Sequence, residues 1–389
     1  MDFVCFGSGD VWGKTPTSRY HLISRLSENH RFLYVESIGI RRPQARNKDI
    51  KKIFQKLKSF FKGARIINRN LWVITPIIIP LHGNKCVVKL NELLLSASIR
   101  YYMTRMNMTR PCLWANIPSV VCLFTRWSSP MKLYYCPDRF AEFPGVDKHL
   151  IESWECDIVR ASDAVVASAQ SLVDYLKSYG KDVHYIPHGV DYSQFAGALT
   201  PGNKPFDLLD VPGKIVLYYG MVEDWFDFES VCLFASRNPE VSVVILGKIA
   251  TDISSAAPYE NIRFLGFKDY KQLPDYLRFS DCCILPFKMD ELINNVNPLK
   301  VREYLAAGRP VVASPLKEIK RYAEHVLFYR SPEDFNNCVL KQLSDSGKTR
   351  WTRISESVKN ESWDSKARQL EQIFMMTLAA QQKDNYTRQ

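Results

Sequence analysis

The sequence predicts an α/β protein made of two Rossmann-like domains with parallel sheets. Three observations carry this expectation. Short β-rich runs alternate with helix-length stretches of three-and-four periodicity, the pattern of strand–helix–strand units. The alternation restarts in the second half of the chain. Between the halves lies HGVDYSQFAGALTPGNKPFDLLDVPGK (188–214), rich in Gly, Pro and Asn as linkers are. A length of 389 residues accommodates two such domains.

In chain order, the first half offers strands at 2–6, 31–35, 71–75, 112–114, 132–135, 164–167 and 183–186. Helical stretches such as 18–27, 91–103 and 150–161 lie between them. The second half offers KIVLYYG (214–220), VSVVILG (241–247), IRFLGF (262–267), CCILPF (282–287) and RPVVAS (309–314). Several of these end in Gly, where a strand turns tightly into a loop beside a ligand. The tail, roughly 333–380, reads as helical. The expected domains are 1–195 and 196–360, with 361–389 a C-terminal helix returning to the first domain, plus a tail.

Hydrophobic residues at 46% and charged residues at 24% exclude a disordered or collagen-like chain. The net charge of +11 is concentrated: residues 41–69 hold eleven basic side chains and a single acid, Asp49. A diffuse excess would suggest nucleic acid, whereas one block suggests a single anionic contact surface. Within it, KDIKKIFQKLKSFFKGAR (48–65) spaces Ile50, Ile53, Phe54, Leu57, Phe60 and Phe61 by three and four, with lysines on the flanks and the other face. Such a segment suits an anionic membrane surface, with Lys51, Lys52, Phe54, Lys56, Lys58 and Phe61 as contacts. A solvated helix that packs its stripe on the first domain is the alternative. No nucleic-acid module surrounds the block, so no nucleic-acid partner is expected.

No apolar run reaches 18 residues; the longest, LWVITPIIIPL (71–81), is broken by Pro76 and Pro80. A spanning helix is not expected. The opening MDFVCFGSGD lacks the basic and apolar regions of a signal peptide. Ten scattered cysteines without a C-x-x-C pair read as reduced thiols in a cytoplasmic protein.

The segment NPLKVREYLAAGRPVVAS (297–314) is the most informative. Pro starts a helix, Gly stops it, and a buried strand follows. Lys300, Glu303 and Ala307, spaced by three and four, share one helical face. The first turn offers unpaired N–H groups and a positive dipole end, so a phosphate would sit there with Lys300 adding a point charge. Glu303, one turn on, can accept two ribose hydroxyls. The alternative is a surface helix whose Lys and Glu bind nothing.

This segment resembles the nucleotide-sugar site of GT-B glycosyltransferases of group 1 type, among them bacterial exopolysaccharide, capsule and lipopolysaccharide transferases. Their pattern is a Glu, seven residues, a second Glu, then a turn with Gly-x-Pro-Val-Val. The resemblance implies that Glu303 binds the donor ribose and that Lys300, beside Leu299, contacts the diphosphate. The position of the first Glu is Asn295 here, which argues against a retaining mechanism that leans on that carboxylate. The likeness continues in YIPHGVD (185–191), YYGMVEDWFDFE (218–229) and IRFLGFKDYKQLPDYLRFSDCCILPF (262–287). It implies a GT-B fold: two Rossmann-like domains facing a cleft, with C-terminal helices. Donor contacts are then expected around Gly220, with Lys288 supplying a charge that the acidic turn Glu223, Asp224 and Asp227 does not; Asp227 more readily caps the helix after it.

In the first half, LYYCPDRFAEFPG (133–145) places Asp138 just past a strand end, where open α/β folds put their sites. A carboxylate there can deprotonate an acceptor hydroxyl, or simply cap the next turn. Similar bacterial transferases, including xanthan-type glucuronosyltransferases, carry an Asp after the corresponding strand as catalytic base, and the resemblance assigns that role to Asp138; Glu142 is the alternative. GSGDVWGKTPTSRYH (7–21) follows the first strand, and in GT-B proteins that segment faces the cleft. Asp10, Arg19 and His21 are therefore candidate acceptor or cleft contacts, against a plain turn and capped helix. No metal site is expected: D-x-D is absent, and Pro187 between His184 and His188 breaks the helical ligand spacing.

The expected activity is transfer of a sugar from a nucleoside diphosphate sugar to a lipid-linked or growing saccharide in cell-surface polysaccharide biosynthesis. It would need no cofactor and no metal, proceed with inversion, and take place at the inner face of a membrane. A sugar-nucleotide epimerase or hydrolase on the same fold, or a non-catalytic membrane-associated scaffold, are the rival expectations.

Overall fold

The alternation of the sequence becomes two separate sheets in the computed structural model, which describes residues 1–7, 12, 16–36, 63–76, 85–143, 145–294, 296–345 and 347–387. The chain divides into two units, Met1–Pro187 with Lys366–Gln389, and His188–Ser365.

The first unit holds β1 (Asp2–Phe6), β2 (Arg31–Val35), β3 (Arg65–Asn68), β4 (Leu71–Ile74), β5 (Cys112–Ala115), β6 (Lys132–Cys136), β7 (Ala164–Ala167) and β8 (His184–Tyr185). Their order in the sheet is β3-β4-β2-β1-β5-β6-β7-β8. All neighbours are parallel except β3 and β4. Sequence reading misses β3 because it is an exposed edge strand with no buried face to impose alternation. The order reverses between β1 and β5, which opens a crevice at the carboxyl ends of those strands.

The helices of this unit are α1 (Ser18–Leu26), α2 (Lys85–Arg105), α3 (Val121–Arg126), α4 (Lys148–Ala161) and α5 (Gln170–Lys177). Alternation along the strands feeds two faces. Val4, Phe6, Leu33 and Val35 join one buried core with Leu95 and Ile99 of α2. Phe3, one residue out of phase, stacks on Phe32 at 4.9 Å between ring centroids and meets Phe374 at 5.0 Å. Phe374 belongs to the last helix, Trp363–Thr387, whose residues from Lys366 onward are part of this unit.

The second unit holds β9 (Ile215–Tyr219), β10 (Ser242–Leu246), β11 (Ile262–Gly266), β12 (Cys282–Leu285), β13 (Val311–Ala313) and β14 (Val326–Phe328). They form an all-parallel sheet, β11-β10-β9-β12-β13-β14, with its reversal between β9 and β12. Residues of β9, β10, β12 and β13 are buried throughout, as a sheet covered on both faces requires. Its helices are α6 (Tyr192–Ala196), α7 (Phe228–Arg237), α8 (Leu273–Arg278), α9 (Glu291–Asn294), α10 (Leu299–Ala306), α11 (Pro332–Ser344) and α12 (Lys348–Glu356), with α13 (Trp363–Thr387) starting at its end. Among the described residues, no helix is long and apolar enough to cross a membrane.

Candidate functional site

In the second unit the reversal point of the sheet is lined by β9, the loop after it and α10. β9 ends in Tyr218–Tyr219 and passes into Gly220, whose φ of 137° is open only to glycine. Lys300 lies against this turn: a Cβ at Gly220 would fall 2.2 Å from the Lys300 ammonium. Gly247, after β10, has φ 144°, and a Cβ there would fall 1.8 Å from the Gly220 carbonyl. Two backbones thus meet without side chains, as close ligand approach requires.

Lys300 stands in the first turn of α10, whose N-cap, Pro298, brings no side-chain hydrogen bond to the free N–H groups. Its ammonium is 5.0 Å from the Tyr218 ring centroid and 5.7 Å from that of Phe287, and donates to the Tyr218 hydroxyl at 3.4 Å. Burial pulls its pKa down to about 8, against the opposing influence of Glu303. Glu303, one turn on, is buried and accepts from the Tyr219 hydroxyl at 2.5 Å. Burial pushes its carboxyl up, while Tyr219, Tyr270 and Lys300 favour the ionised form. A cation, a carboxylate and an uncapped helix end come together beside Gly220, which carries no side chain, an arrangement suited to a phosphorylated ribose.

Behind this face, α10 is fixed by Arg302. Its fully buried guanidinium donates to Glu361 at 3.0 Å and to Asn297, just before the helix, at 2.8 Å. Leu299 opens α10, and Lys288 is exposed after β12, with its backbone N–H bonded to the Trp225 carbonyl at 2.7 Å. Asp227 caps α7, accepting from the Ser230 N–H at 3.2 Å and from the Tyr329 hydroxyl at 2.8 Å. Asn295 lies outside the described residues.

In the first unit the reversal point is tied by Asn116, which donates to the Phe6 carbonyl at 3.1 Å and accepts from the Trp114 indole at 3.2 Å. Arg19, in the first turn of α1, and Asp138, past β6, interact electrostatically here. Asp138 keeps access to solvent, yet the protein around its carboxyl desolvates it and raises its pKa, with Arg19 pulling the other way. Its loop is held from below by Glu155 of α4. That fully buried carboxylate accepts from Tyr134 at 2.6 Å and Tyr175 at 2.9 Å, and Arg139 reaches it at 3.9 Å. Burial raises Glu155 to about 7. Cys136 donates to the Asp138 carbonyl at 3.3 Å, joining the network to the loop.

His21 is buried, and desolvation lowers its pKa to about 3, so it is neutral in the physiological range. Glu142 is paired with Lys148 at 2.7 Å. Asp10 and the segment with Lys51, Lys52, Phe54, Lys56, Lys58 and Phe61 lie outside the described residues. Sequence reasoning passes over Tyr219, Tyr270, Asn116, Arg302 and Glu155. Only YYG before Gly220 carries a signal, a tyrosine pair at a strand end.

Residues 215–345 match the family model for glycosyl transferases group 1. A protein of Bacillus subtilis (strain 168) whose name assigns it to teichuronic acid biosynthesis as glycosyltransferase TuaH is 26% identical over 285 residues, 68% of this chain and 72% of that one. Among solved structures, sucrose-phosphate synthase from Thermosynechococcus elongatus superposes with a TM-score of 0.70 at 15% identity, over 97% of this chain and 99% of that one. HepE from Anabaena, in complex with UDP-glucose, gives a TM-score of 0.63 at 14% identity, over 97% and 100%. The resemblance read from the sequence holds: the second unit carries the match to glycosyl transferases group 1, at residues 215–345, and the chain has the GT-B fold.

Proposed function

We propose that this chain transfers a sugar from a nucleoside diphosphate sugar to a lipid-linked or growing saccharide during cell-surface polysaccharide assembly. The observation that carries the reading is the convergence of Lys300, Glu303 and the Gly220 loop at the reversal point of the second sheet. The HepE complex with UDP-glucose and the teichuronic acid name of the Bacillus relative support donor class and setting. In this reading Lys300 and the start of α10 hold the diphosphate and stabilise it as it leaves, without a metal. Glu303 takes the ribose hydroxyls, and Leu299 and Lys288 border the donor.

Asp138 acts as general base on the acceptor hydroxyl, which makes the transfer inverting. Its raised pKa suits that role, because a more basic carboxylate is the better proton acceptor. Arg19 orients the acceptor. The basic segment 41–69 brings the protein to the anionic inner face of a membrane, where such acceptors reside.

The donor assignment is tested by calorimetry of UDP and GDP on the full chain and on Glu303→Ala; unchanged affinity removes Glu303 from the ribose. For the base, Asp138→Asn is compared in turnover and donor binding. Loss of turnover with retained binding is expected, and substantial residual turnover sinks the assignment. Turnover that survives a chelator is the expected result for a metal-independent transfer.

A further inference from the structure

The side of α2 turned away from the first core is apolar and open to water. Leu90, Leu93, Leu94 and Tyr101 are 44%, 69%, 42% and 55% exposed, and Ala97 between them is exposed as well. At 3.6 residues per turn, these five positions fall within an arc of about 100°. Leu95 and Ile99, on the opposite side, are buried in the core. The helix therefore has an inward face and a second, largely exposed apolar stripe, on which Tyr101 meets only its helix neighbours Tyr102 and Arg105 in the ring and hydrogen-bond contacts of the described residues.

Its borders carry one sign of charge. Lys89 and Arg100 flank one edge of the stripe and Arg105 the other, all exposed. The only acid of α2, Glu92, is ion-paired with Arg126 of α3. Beside the stripe, α2 and α3 enclose a groove of about 240 Å³ lined by Lys89, Glu92, Leu93, Arg126 and Trp127 among others. A protein partner would meet a rim of mixed polarity; an apolar stripe edged by cations fits a layer whose surface is phosphate and whose interior is hydrocarbon. Gly63, within the basic stretch 41–69, also lies against this helix: a Cβ there would fall 3.5 Å from the Tyr102 hydroxyl of α2.

We infer that α2 lays this face on an anionic lipid bilayer, with Leu90, Leu93, Leu94 and Tyr101 in the acyl boundary and Lys89, Arg100 and Arg105 on headgroup phosphates. The inference rests on the membrane reading above, but it moves the anchor to a different element.

Co-sedimentation of the full chain with phosphatidylcholine vesicles, with and without phosphatidylglycerol, tests it. Two variants are compared, Leu90→Ser/Leu93→Ser/Leu94→Ser and Phe54→Ser/Phe61→Ser, each checked for Tm and for mass by light scattering. The parent should pellet with anionic vesicles only. The α2 variant should bind them at least about tenfold more weakly, with mass and Tm unchanged. Equal binding by the α2 variant, with loss only in Phe54→Ser/Phe61→Ser, overturns the inference and leaves the earlier membrane reading intact. No binding by the parent overturns both. A parent dimer that the α2 variant disperses would make the stripe a contact between copies. A fall in the variant's Tm would mean that the chain itself covers the stripe. Either of these also overturns the inference.

Discussion

Lys300 is costly to keep. Unfolded, a lysine holds its proton to about pH 10.4, whereas in this fold it releases it near 8. Between those values the unfolded chain binds more protons, so this residue makes stability rise with pH across the interval and penalises the fold below it. Lys300→Met should therefore raise the Tm of the donor-free protein at neutral pH while donor affinity falls by tenfold or more, in the order of a lost charged contact. For the parent, UDP affinity measured by calorimetry should decline as pH rises through about 8 and the ammonium of the free protein is lost. Gly220 is the companion case. With φ at 137° and the Lys300 ammonium 2.2 Å from a would-be Cβ, Gly220→Ala strains the turn by about 1–3 kcal/mol and pushes Lys300 aside. Thermal unfolding and UDP titration of this variant should both show a loss; normal UDP affinity would separate the loop from the donor. The sequence made Lys300 and Glu303 legible, because a helix places residues three apart on one face. It could not show that Tyr219, 84 positions away, grips Glu303, since that contact exists only once β9 lies beside α10.

At the scale of elements, strand positions were readable wherever burial enforces a pattern. The runs that became β9, β10 and β12 are continuous apolar stretches, and each formed within a residue or two of the apolar run. β3 and β14 left no such trace: one is exposed along its whole length and the other is an edge strand with only its first residue buried. The polar network under α4 was equally silent, because a glutamate on an amphipathic helix looks solvated until its partners surround it. Glu155, raised to about 7 from an unfolded value near 4.5, binds its proton more tightly in the fold. Its contribution is thus present below about pH 4.5 and is lost as pH rises through 7. Replacing it by Gln keeps an acceptor for Tyr134 and removes the titration. Urea unfolding between pH 4.5 and 7.5 should show a flatter pH dependence in Glu155→Gln than in the parent; parallel curves would mean that Glu155 is ionised throughout.

For the molecule as a whole, two cores that share no residue predict separable behaviour. One is built from Val4 to Leu176, the other from Val190 to Val358. Scanning calorimetry should resolve two transitions, and UDP at about 100 times its Kd should stabilise only the unit His188–Ser365, by about 2.7 kcal/mol. A single transition that moves as one with UDP would contradict this. The net charge of +11, nearly all of it in residues 41–69, belongs to the other unit, so salt should weaken vesicle binding without weakening the donor site's hold through its buried contacts.

The last helix has a consequence for how the protein is made. From Lys366 onward it belongs to the unit that begins at Met1, and Phe374 closes the face formed by Phe3, Phe32 and Trp114. On a ribosome the second unit, continuous in sequence, is complete once Ser365 has emerged. The first, although synthesised earliest, has to wait with that aromatic face uncovered until Phe374 has emerged. The order of synthesis and the order of completion are opposite, and a nascent chain that has emerged only as far as residue 365 would display a finished second unit beside an unfinished first one.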